Sequence, residues 1–381
     1  MRFADNRNKI GKYIPAVVFL IFIYGMALWF IFSPKPDYSS SEKRYLQKFP
    51  EVTAEKLLSG DFGSEFETFF ADRFPQRNTW VGLNAYTALA EGNNGASGVY
   101  NCKNGYLINK PVSTENNLDK NIGAVADFAK SIDTPTTVML VPSTGYIVDD
   151  VLPTFHDKYN DDEDISKISS TLSKDKIGFV DLRERFKSEY KNGSQIYYKT
   201  DHHWTTKGAY TGYQELCKAL GITPIDDSTL KKDSYPDFYG TTYSSSGFWL
   251  TPPDNIEIWN NPKNSDRNIS VKITEGANIK TSGSMYFTDH LKEDDKYPVF
   301  IDGNHALTEI TNTNAKNGTI LLIKDSFSHS LAPFLAENYS KVVLVDLRYY
   351  KESVSDLVTT YNPEQVVVLY GIDNLATDTD I

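Results

Sequence analysis

Runs of apolar residues alternate with amphipathic stretches over most of the chain after residue 99. Short apolar runs rich in β-branched residues predict buried strands, at 136–141, 177–180, 319–323, 341–345 and 365–369. Helical periodicity predicts helices at 118–132, 182–190, 206–220, 328–337 and 353–360. Continuous apolar strands between helices predict an α/β fold, a parallel sheet with helices on both faces. Ligands are then expected beyond the carboxyl ends of the strands.

Three segments depart from this pattern. Residues 241–300 are rich in Ser, Asn, Tyr and Gly with short alternating runs, which predicts a β-rich insertion of antiparallel strands and loops. Residues 33–95 predict a Pro- and Ser-rich linker followed by a helical neck, in which Pro75 is expected to end a helix. The acidic segment 157–164 predicts a solvated loop. The main domain would therefore span residues 96–381.

The N-terminus carries a long apolar segment. Residues 13–32 contain no charged side chain, and about 20 apolar residues suffice for a helix to cross a bilayer. Basic residues dominate positions 1–12, whereas the following flank has mixed charge, so the positive-inside rule predicts a cytoplasmic tail at 1–12. We therefore expect a single-pass membrane protein with its main domain outside the cell. A cleaved signal peptide and a buried core helix are the alternatives, but the run is long for the first and lacks a small-residue cleavage site.

Composition excludes some partners. The net charge of −11 argues against a nucleic-acid partner. Cys102 and Cys217 are the only cysteines and could form one disulfide, although spacing cannot show whether they meet. There is no Cys-x-x-Cys or Cys/His spacing typical of zinc sites. We therefore predict neither a metal nor a cofactor.

Two separated motifs carry candidate chemistry. Residues 201–204 read Asp-His-His-Trp, and Ser326 lies at the corner between a predicted strand and a predicted helix. A carboxylate, an imidazole and a hydroxyl are the groups that nucleophilic acyl chemistry needs. Asp201 and His203, two residues apart in an extended loop, point to the same side. The carboxylate can then orient the imidazole while the other ring nitrogen faces Ser326.

Other interpretations of the same residues stay open. Ser326 could be an ordinary helix-capping serine, and Asp201 could cap a helix beside a surface histidine. Asp201, His202 and His203 could instead bind a metal. Adjacent histidines in an extended segment point apart, which disfavours one shared ion.

The motifs together resemble a known family. Asp-His-His-Trp at 201–204, Lys-Asp-Ser-Phe-Ser at 324–328 and Asp-Arg-Phe-Pro at 72–75 resemble the bacterial DHHW family. That family is similar to the alginate O-acetyltransferases and to the wider SGNH-hydrolase superfamily. The likeness covers the chain from about residue 60 onward, and it depends on the combination, since each motif alone is weak. It implies an SGNH-hydrolase-like fold.

The resemblance also implies roles for individual residues. The alginate-type enzymes carry an Asp-x-His-Trp motif, whose match here gives the base role to His203 rather than His202. Their nucleophile lies at the corner matched by Ser326. Ser328 and Ser330 are nearby competitors, but they fall inside the predicted helix. The serine comes late in the chain, unlike the common GDSL pattern and like the circularly permuted alginate-type relatives.

Further residues are candidates for binding the oxyanion or the substrate. SGNH enzymes use a glycine and an amide side chain in the oxyanion hole, which makes Gly303 and Asn304 candidates, with an ordinary turn as the alternative. Trp204 of the motif and Ser143 at the end of the first predicted strand are candidate pocket residues. Relatives often have a basic residue near Ser143, and this chain has none. Arg348 could bind an anionic sugar, or it could form a structural salt bridge.

These features predict a membrane-anchored, extracytoplasmic O-acetyltransferase that acts on an exported or cell-wall polysaccharide through an acetyl-serine intermediate. The resemblance implies two partners: a polytopic membrane-bound O-acyltransferase as acetyl donor, and an exported glycan as acceptor. A glycan O-acetyl esterase would use the same triad with water in place of the sugar. A non-catalytic glycan-binding or scaffold component of an export complex is the alternative from another class of protein.

Overall fold

The computed structural model describes residues 2–112, 117–265 and 267–381, with side chains from residue 12 onward. It forms two compact units, Met1–Asn84 and Ala85–Ile381. The α-helices are Arg2–Phe32, Ala54–Ser59, Asp61–Asp72, Arg77–Ala90, Leu118–Ser131, Thr144–Ile147, Asp161–Lys174, Arg183–Lys191, Thr206–Leu220, Thr241–Ser246, Ser328–Leu335, Val354–Tyr361 and Ile372–Thr377.

The N-terminal unit contains the long apolar helix. Its segment Lys12–Phe32 is long and apolar enough to cross a membrane, and none of it is buried within the structure. The third helix of this unit ends at Asp72, three residues before Pro75, so the predicted helix end is confirmed. Asp72 accepts two hydrogen bonds from the Arg44 guanidinium, at 2.9 and 2.6 Å. The first residue of the Asp-Arg-Phe-Pro motif therefore holds this unit together.

One large sheet organises the second unit. Its strands are β1 (Thr136–Val141), β2 (Gly178–Asp181), β3 (Ile269–Glu275), β4 (Asn278–Ser282), β5 (Leu307–Asn312), β6 (Asn317–Lys324), β7 (Tyr339–Val345) and β8 (Gln365–Gly371). Within the described residues the strand order is β4-β3-β5-β7-β6-β8-β1-β2. The strands predicted from apolar runs are β1, β2, β6, β7 and β8, and all five are confirmed.

The sheet is mixed rather than wholly parallel, which corrects the prediction. Strands β7, β6, β8, β1 and β2 are parallel, as their apolar runs indicated. Strands β5, β3 and β4 extend this sheet in antiparallel orientation. β3 and β4 come from the predicted insertion at 241–300. In β3 the buried residues Ile269, Val271 and Ile273 alternate with exposed or half-buried ones, the pattern of a strand with one covered face.

Other short strands lie outside the large sheet. Lys231–Phe238 pairs antiparallel with Asp254–Asn260. Gly95–Ala96, Val99–Asn101 and Leu107–Asn109 form a three-stranded antiparallel sheet. In the N-terminal unit Tyr38–Ser39 pairs with Arg44–Tyr45. The insertion at 241–300 therefore supplies two strands of the main sheet and one of the two strands of a separate ribbon.

Two hydrophobic cores cover the two faces of the sheet. In β6, Ile320 and Leu322 join the core that includes helices Thr206–Leu220 and Ser328–Leu335. Their neighbours Leu321 and Ile323 join the opposite core, which includes the helix Leu118–Ser131. Both faces of β6 are covered, so its successive residues 320–323 are all apolar, and each fully buried side chain contributes about 1.5–3 kcal/mol.

Local signals set several boundaries. The Thr205 hydroxyl accepts a hydrogen bond from Gly208 N at 3.1 Å, so the predicted N-cap is confirmed. The prediction of a solvated loop at 157–164 is wrong in its second half. Asp161 opens the helix Asp161–Lys174, where acidic residues of the first turn are favoured by the helix dipole. Asp161 itself is buried.

The cysteines lie apart as free thiols. Cys102 and Cys217 are both buried, and neither forms a disulfide within the described part of the chain. Burial raises the pKa of each thiol to about 12, so both are neutral and unreactive at physiological pH.

A buried ion pair joins the ends of β6 and β7. Lys324 Nζ lies 2.9 Å from Asp346 Oδ2, with side chains 2% and 0% exposed. Because Asp346→Ala would leave a buried ammonium uncompensated, we expect it to lower the free energy of unfolding by about 3–5 kcal/mol in urea titrations. The exposed pair Lys130–Asp127 provides the control, since Asp127→Ala should cost about 1 kcal/mol or less. Equal losses in the two variants would contradict the expectation.

Candidate active site

The corner that carries Ser326 is fixed by the preceding carboxylate. Asp325 Oδ1 accepts from Phe327 N at 2.9 Å, and Oδ2 accepts from Gly371 N and Asn374 Nδ2, each at 2.7 Å. Burial raises the pKa of Asp325, while these N–H donors favour its charged form. The turn after β6 is thereby tied to the end of β8. Sequence reasoning missed Asp325, although its place directly before the serine was a usable signal.

Ser326, His203 and Asp201 form one hydrogen-bonded series. Ser326 Oγ lies 2.7 Å from His203 Nε2, within the range expected for a nucleophile and its base. His203 Nδ1 lies 2.5 Å from Asp201 Oδ1. All three side chains are buried, with relative exposures of 9%, 4% and 2%. With Asp201 accepting from Nδ1–H, the Nε2 lone pair is available to accept the serine proton.

Asp201 is held in its charged form. Burial by itself would raise the pKa of Asp201, but the neighbouring His203 and His202 and the N–H donors lower it below its usual range. Oδ1 also accepts from His203 N at 2.8 Å, and Oδ2 accepts from Thr241 N at 2.7 Å. A Cβ atom at Gly240 would lie 2.1 Å from Asp201 Cβ, so only glycine permits this approach.

Aromatic rings fix the His203 imidazole. The Tyr297 ring stacks on it with centroids 4.0 Å apart and an interplanar angle of 13°. Phe327 meets the imidazole edge to face, at 5.1 Å. These contacts restrict the ring to the plane that serves both of its hydrogen bonds. Tyr297 lies in the loop-rich insertion, where no periodicity marked it in the sequence.

His202 does not hydrogen-bond to Ser326. Its Nδ1 lies 2.6 Å from Thr241 Oγ1, and its ring lies 3.9 Å from that of His203. Burial and the neighbouring His203 lower the pKa of His202 to about 4, so it is neutral at physiological pH. Ligand atoms of Asp201, His202 and His203 lie within 4.8 Å of one another, close enough to hold a metal ion. Such an ion would compete with the Asp201 and Ser326 hydrogen bonds of His203.

Trp204 hydrogen-bonds to the turn and helix that follow Ser326. Its indole Nε1 donates to Phe327 O at 3.0 Å and to Ser330 Oγ at 2.9 Å. The prediction that Trp204 contacts substrate is wrong, because the side chain is 0% exposed. The indole instead fixes the first turn of the helix after Ser326. Ser330, which the sequence offered as a second candidate nucleophile, accepts this hydrogen bond.

The Gly303 and Asn304 turn lies in a strained loop. Ile301, Asp302 and Gly303 have φ values of 49°, 66° and 86°, and a β-branched residue rarely adopts a positive φ. Asn304 is exposed and its Oδ1 accepts from Arg348 Nη2 at 3.2 Å, which leaves the amide nitrogen as a donor. Within the described residues no hydrogen bond joins Ser326 to Gly303 or Asn304.

Arg348 forms a structural salt bridge, the alternative to binding an anionic sugar. Its Nε and Nη2 donate to the two Asp346 carboxylate oxygens at 2.8 and 2.7 Å. Asp346 also pairs with Lys324, so one carboxylate serves two cations. The Arg348 guanidinium is therefore already paired with a carboxylate, which argues against the predicted anionic-sugar site.

Ser143 lies at the end of β1 beside two carboxyl groups. Its backbone N donates to Asp161 Oδ1 at 2.7 Å, and its Oγ donates to Asp373 Oδ1 at 3.2 Å. Burial first, and the nearby carboxyl groups second, raise the pKa of Asp373 to about 7. Burial raises the pKa of Asp161 to about 6. Ser143 lines a cleft together with His202 and Phe327, as its position at the strand end suggested.

The chain belongs to the DHHW family. The family model, described as DHHW protein, matches residues 112–345, which include Asp201, His203 and Ser326. No curated protein matches the chain.

Solved structures share the fold. A DHHW family protein from Eubacterium siraeum is 18% identical, has a TM-score of 0.63, and is aligned over 75% of this chain and 94% of its own. PatB1 from Bacillus cereus, solved with a sulfonyl adduct, is 20% identical, with a TM-score of 0.60 over 74% and 95% of the two chains. The O-acetyltransferase domain of Pseudomonas putida AlgJ is 14% identical, with a TM-score of 0.48 over 74% and 94%. The first two likenesses show a common fold.

The buried Asp161 gives stability a defined pH dependence. A carboxyl whose pKa is raised from 3.8 to about 6 in the folded state stabilises that state below pH 4 and loses this contribution as pH rises through 6. We expect the free energy of unfolding to fall between pH 4 and 7 by on the order of 2 kcal/mol more in the native protein than in Asp161→Asn. Urea titrations across this range measure it. Asp127→Asn, at an exposed site, should retain the native profile. Identical profiles for native protein and Asp161→Asn would refute the assignment.

Proposed function

We propose that the chain is an extracytoplasmic O-acetyltransferase that modifies a polysaccharide through an acetyl-serine intermediate at Ser326. The observation that carries this proposal is the hydrogen-bonded series Asp201–His203–Ser326 beyond the ends of parallel strands. Membership of the DHHW family adds support through its resemblance to the alginate-type enzymes. The same resemblance favours an SGNH-like topology for the catalytic domain at 96–381.

In the first half-reaction His203 acts as a base. Its Nε2 accepts the Ser326 proton while Oγ attacks the carbonyl carbon of an acetyl ester and forms the new C–O bond. His203 then gives the proton to the departing alcohol, which leaves acetyl-Ser326. Asp201 keeps the imidazole in the required tautomer and stabilises the transient imidazolium. The Ser326 backbone N–H has no acceptor within the described residues, so it can donate to the oxyanion.

The second half-reaction transfers the acetyl group to a sugar. A sugar hydroxyl loses its proton to His203 Nε2 and attacks the acetyl carbonyl, and Ser326 recovers the proton as its bond to the acetyl group breaks. Water in place of the sugar would give an esterase with the same residues. The amide nitrogen of Asn304, oriented by Arg348, is a second oxyanion donor in this proposal.

The domain organisation follows from the same proposal. Residues 1–12 are the cytoplasmic tail, 13–32 the membrane helix, and 33–95 the linker and helical neck. The acetyl donor is then delivered by a polytopic membrane-bound O-acyltransferase, and the acceptor is an exported glycan. The apolar segment Lys12–Phe32 supports the anchor, because it is long enough to cross a bilayer.

Substitutions at the triad test the chemistry. With an activated acetyl ester and an oligosaccharide acceptor, we expect Ser326→Ala and His203→Ala to lower acetyl transfer by about 1000-fold or more, and Asp201→Ala to lower it less. Ser328→Ala is the matched control, because its buried hydroxyl has no hydrogen-bond partner among the described residues. Acetate release that no acceptor diminishes favours the esterase. Absence of ester turnover, with glycan acetylation in cells surviving Ser326→Ala, favours the scaffold.

A covalent probe tests the nucleophile independently. Sulfonyl fluorides form adducts with activated hydroxyl groups, and the similar PatB1 was solved with a sulfonyl adduct. Intact-mass measurement should show one sulfonyl group on the native protein and on Ser328→Ala, and none on Ser326→Ala. Labelling that persists in Ser326→Ala would remove Ser326 from the nucleophile's role.

Fusion reporters test the topology. A phosphatase fused after Ile381 should be active in intact cells, because the basic residues before residue 13 are expected to stay in the cytoplasm. The mature N-terminus should precede residue 13, as shown by sequencing the membrane-bound protein. Recovery of the whole protein from the medium, beginning near Pro34, would disprove the anchor.

A further inference from the structure

A narrow cleft lies beside the serine–histidine pair. Its volume is about 50 Å³, several times the roughly 10–15 Å³ that one water molecule needs. Phe327, which follows Ser326, forms part of its wall, and so does His202, whose ring lies 3.9 Å from that of His203. The polar side chains lining it are those of Asn109, Ser143, Thr144, Tyr159, His202, Thr242, Asp373 and Asn374.

The cleft has hydrogen-bonding capacity that the protein does not use. Thr242 is 1% exposed, and its Oγ1 has no hydrogen-bond partner within the described part of the chain. His202 Nδ1 is held by Thr241, whereas its Nε2 has no partner among the described residues. Leaving a buried hydroxyl unpaired costs free energy, and because Thr242, unlike Ser328, lines this cleft, a polar group bound in the cleft would recover that cost.

The charge of the cleft restricts the ligand. None of its described lining residues is Lys or Arg, and His202 is neutral at physiological pH. Asp373 carries the one carboxyl group among the described lining residues, and its pKa is raised to about 7, so near neutrality this carboxyl both donates and accepts hydrogen bonds. A uronate or a phosphate would find no counter-charge there, and it would meet a carboxylate as pH rises.

We propose that this cleft is the acceptor subsite, and that His202, Thr242 and Asp373 bind a hydroxyl-bearing edge of a neutral sugar. The inference deepens the proposed function and rests on it. A hydroxyl held beside His202 lies close to the base that must deprotonate it. The first histidine of the Asp-His-His-Trp run thereby acquires a substrate-binding role distinct from that of His203.

Sugar binding without turnover tests the subsite. Titration calorimetry on the Ser326→Ala protein at pH 7.5 would use cellotetraose and chitotetraose as neutral probes and tetragalacturonate as the anionic one. We expect at least one neutral probe to bind about tenfold or more tighter than the uronate. Adding Thr242→Val or His202→Gln should weaken that binding by about fivefold or more, since the first removes the hydroxyl and the second replaces a fixed imidazole by a flexible amide that must be ordered on binding. Thr242→Val keeps the side-chain shape, and circular dichroism checks the fold.

An exposed histidine outside the cleft provides the control for these substitutions. His156→Gln, at an exposed histidine that does not line the cleft, should leave sugar affinity unchanged. Tighter binding of the uronate, or no binding of any neutral probe, overturns the subsite. So does an affinity in both Thr242→Val and His202→Gln that equals that of the Ser326→Ala parent. A change in preference between acetyl and butyryl esters without any change in sugar affinity also overturns it, because the cleft would then hold the acyl group.

Ester turnover by the native protein is measured separately. Turnover together with unaltered sugar affinity in the cleft variants refutes the subsite and leaves the acetyltransferase standing. Sugar binding that depends on the cleft, in a native protein that turns over no ester and takes no sulfonyl label, refutes the acetyltransferase. The same binding then supports only a glycan-binding role for the cleft.

Discussion

The buried carboxylate of Asp325 is the constraint on which the site depends. Its three N–H donors come from the serine corner, from the end of β8 and from the helix Ile372–Thr377 that follows β8, so it fixes two neighbouring strand ends relative to each other. The position of Ser326 at the end of β6 is therefore fixed, within hydrogen-bonding distance of His203. A loop free to move by an ångström would lose that alignment, and with it the hydrogen bond between Ser326 and His203.

Other buried carboxylates fix the rest of the site in the same manner. Asp254 accepts from Thr200 N at 2.8 Å and from Thr200 Oγ1 at 2.7 Å, which anchors the segment just before Asp201. Asp346 forms ion pairs with Lys324 and Arg348 and so fixes the end of β6 that precedes Ser326. A buried charge is tolerated only when donors or cations compensate it. The free-energy cost of these groups is consistent with a region selected for geometry rather than for stability.

Sequence patterns predicted the regular elements better than the supporting residues. Apolar runs identified all five parallel strands of the described residues, because the four inner ones are buried on both faces and the edge strand β2 still buries Val180. They did not show that β3 and β4 join the main sheet, since an antiparallel strand with one covered face can add to any free edge. The first turn of the helix Asp161–Lys174 was predicted to be a loop because it is acidic. Acidic residues are also favoured in the first turn of a helix, where the helix dipole stabilises them.

The sequence by itself determined the chemical groups of the site. An Asp-His-His-Trp run and a serine at a strand–helix corner supplied the carboxylate, imidazole and hydroxyl, and period-two spacing selected His203 as the partner of Asp201. Only the tertiary structure decided which surrounding residues act with them. Tyr297 stacks on His203, and Gly371 and Asn374 donate to Asp325, although each lies far from its partner along the chain. These contacts depend on the packing of the whole fold rather than on local spacing. Trp204 was assigned to the substrate by sequence and to the core by structure, because burial is a property of the whole fold.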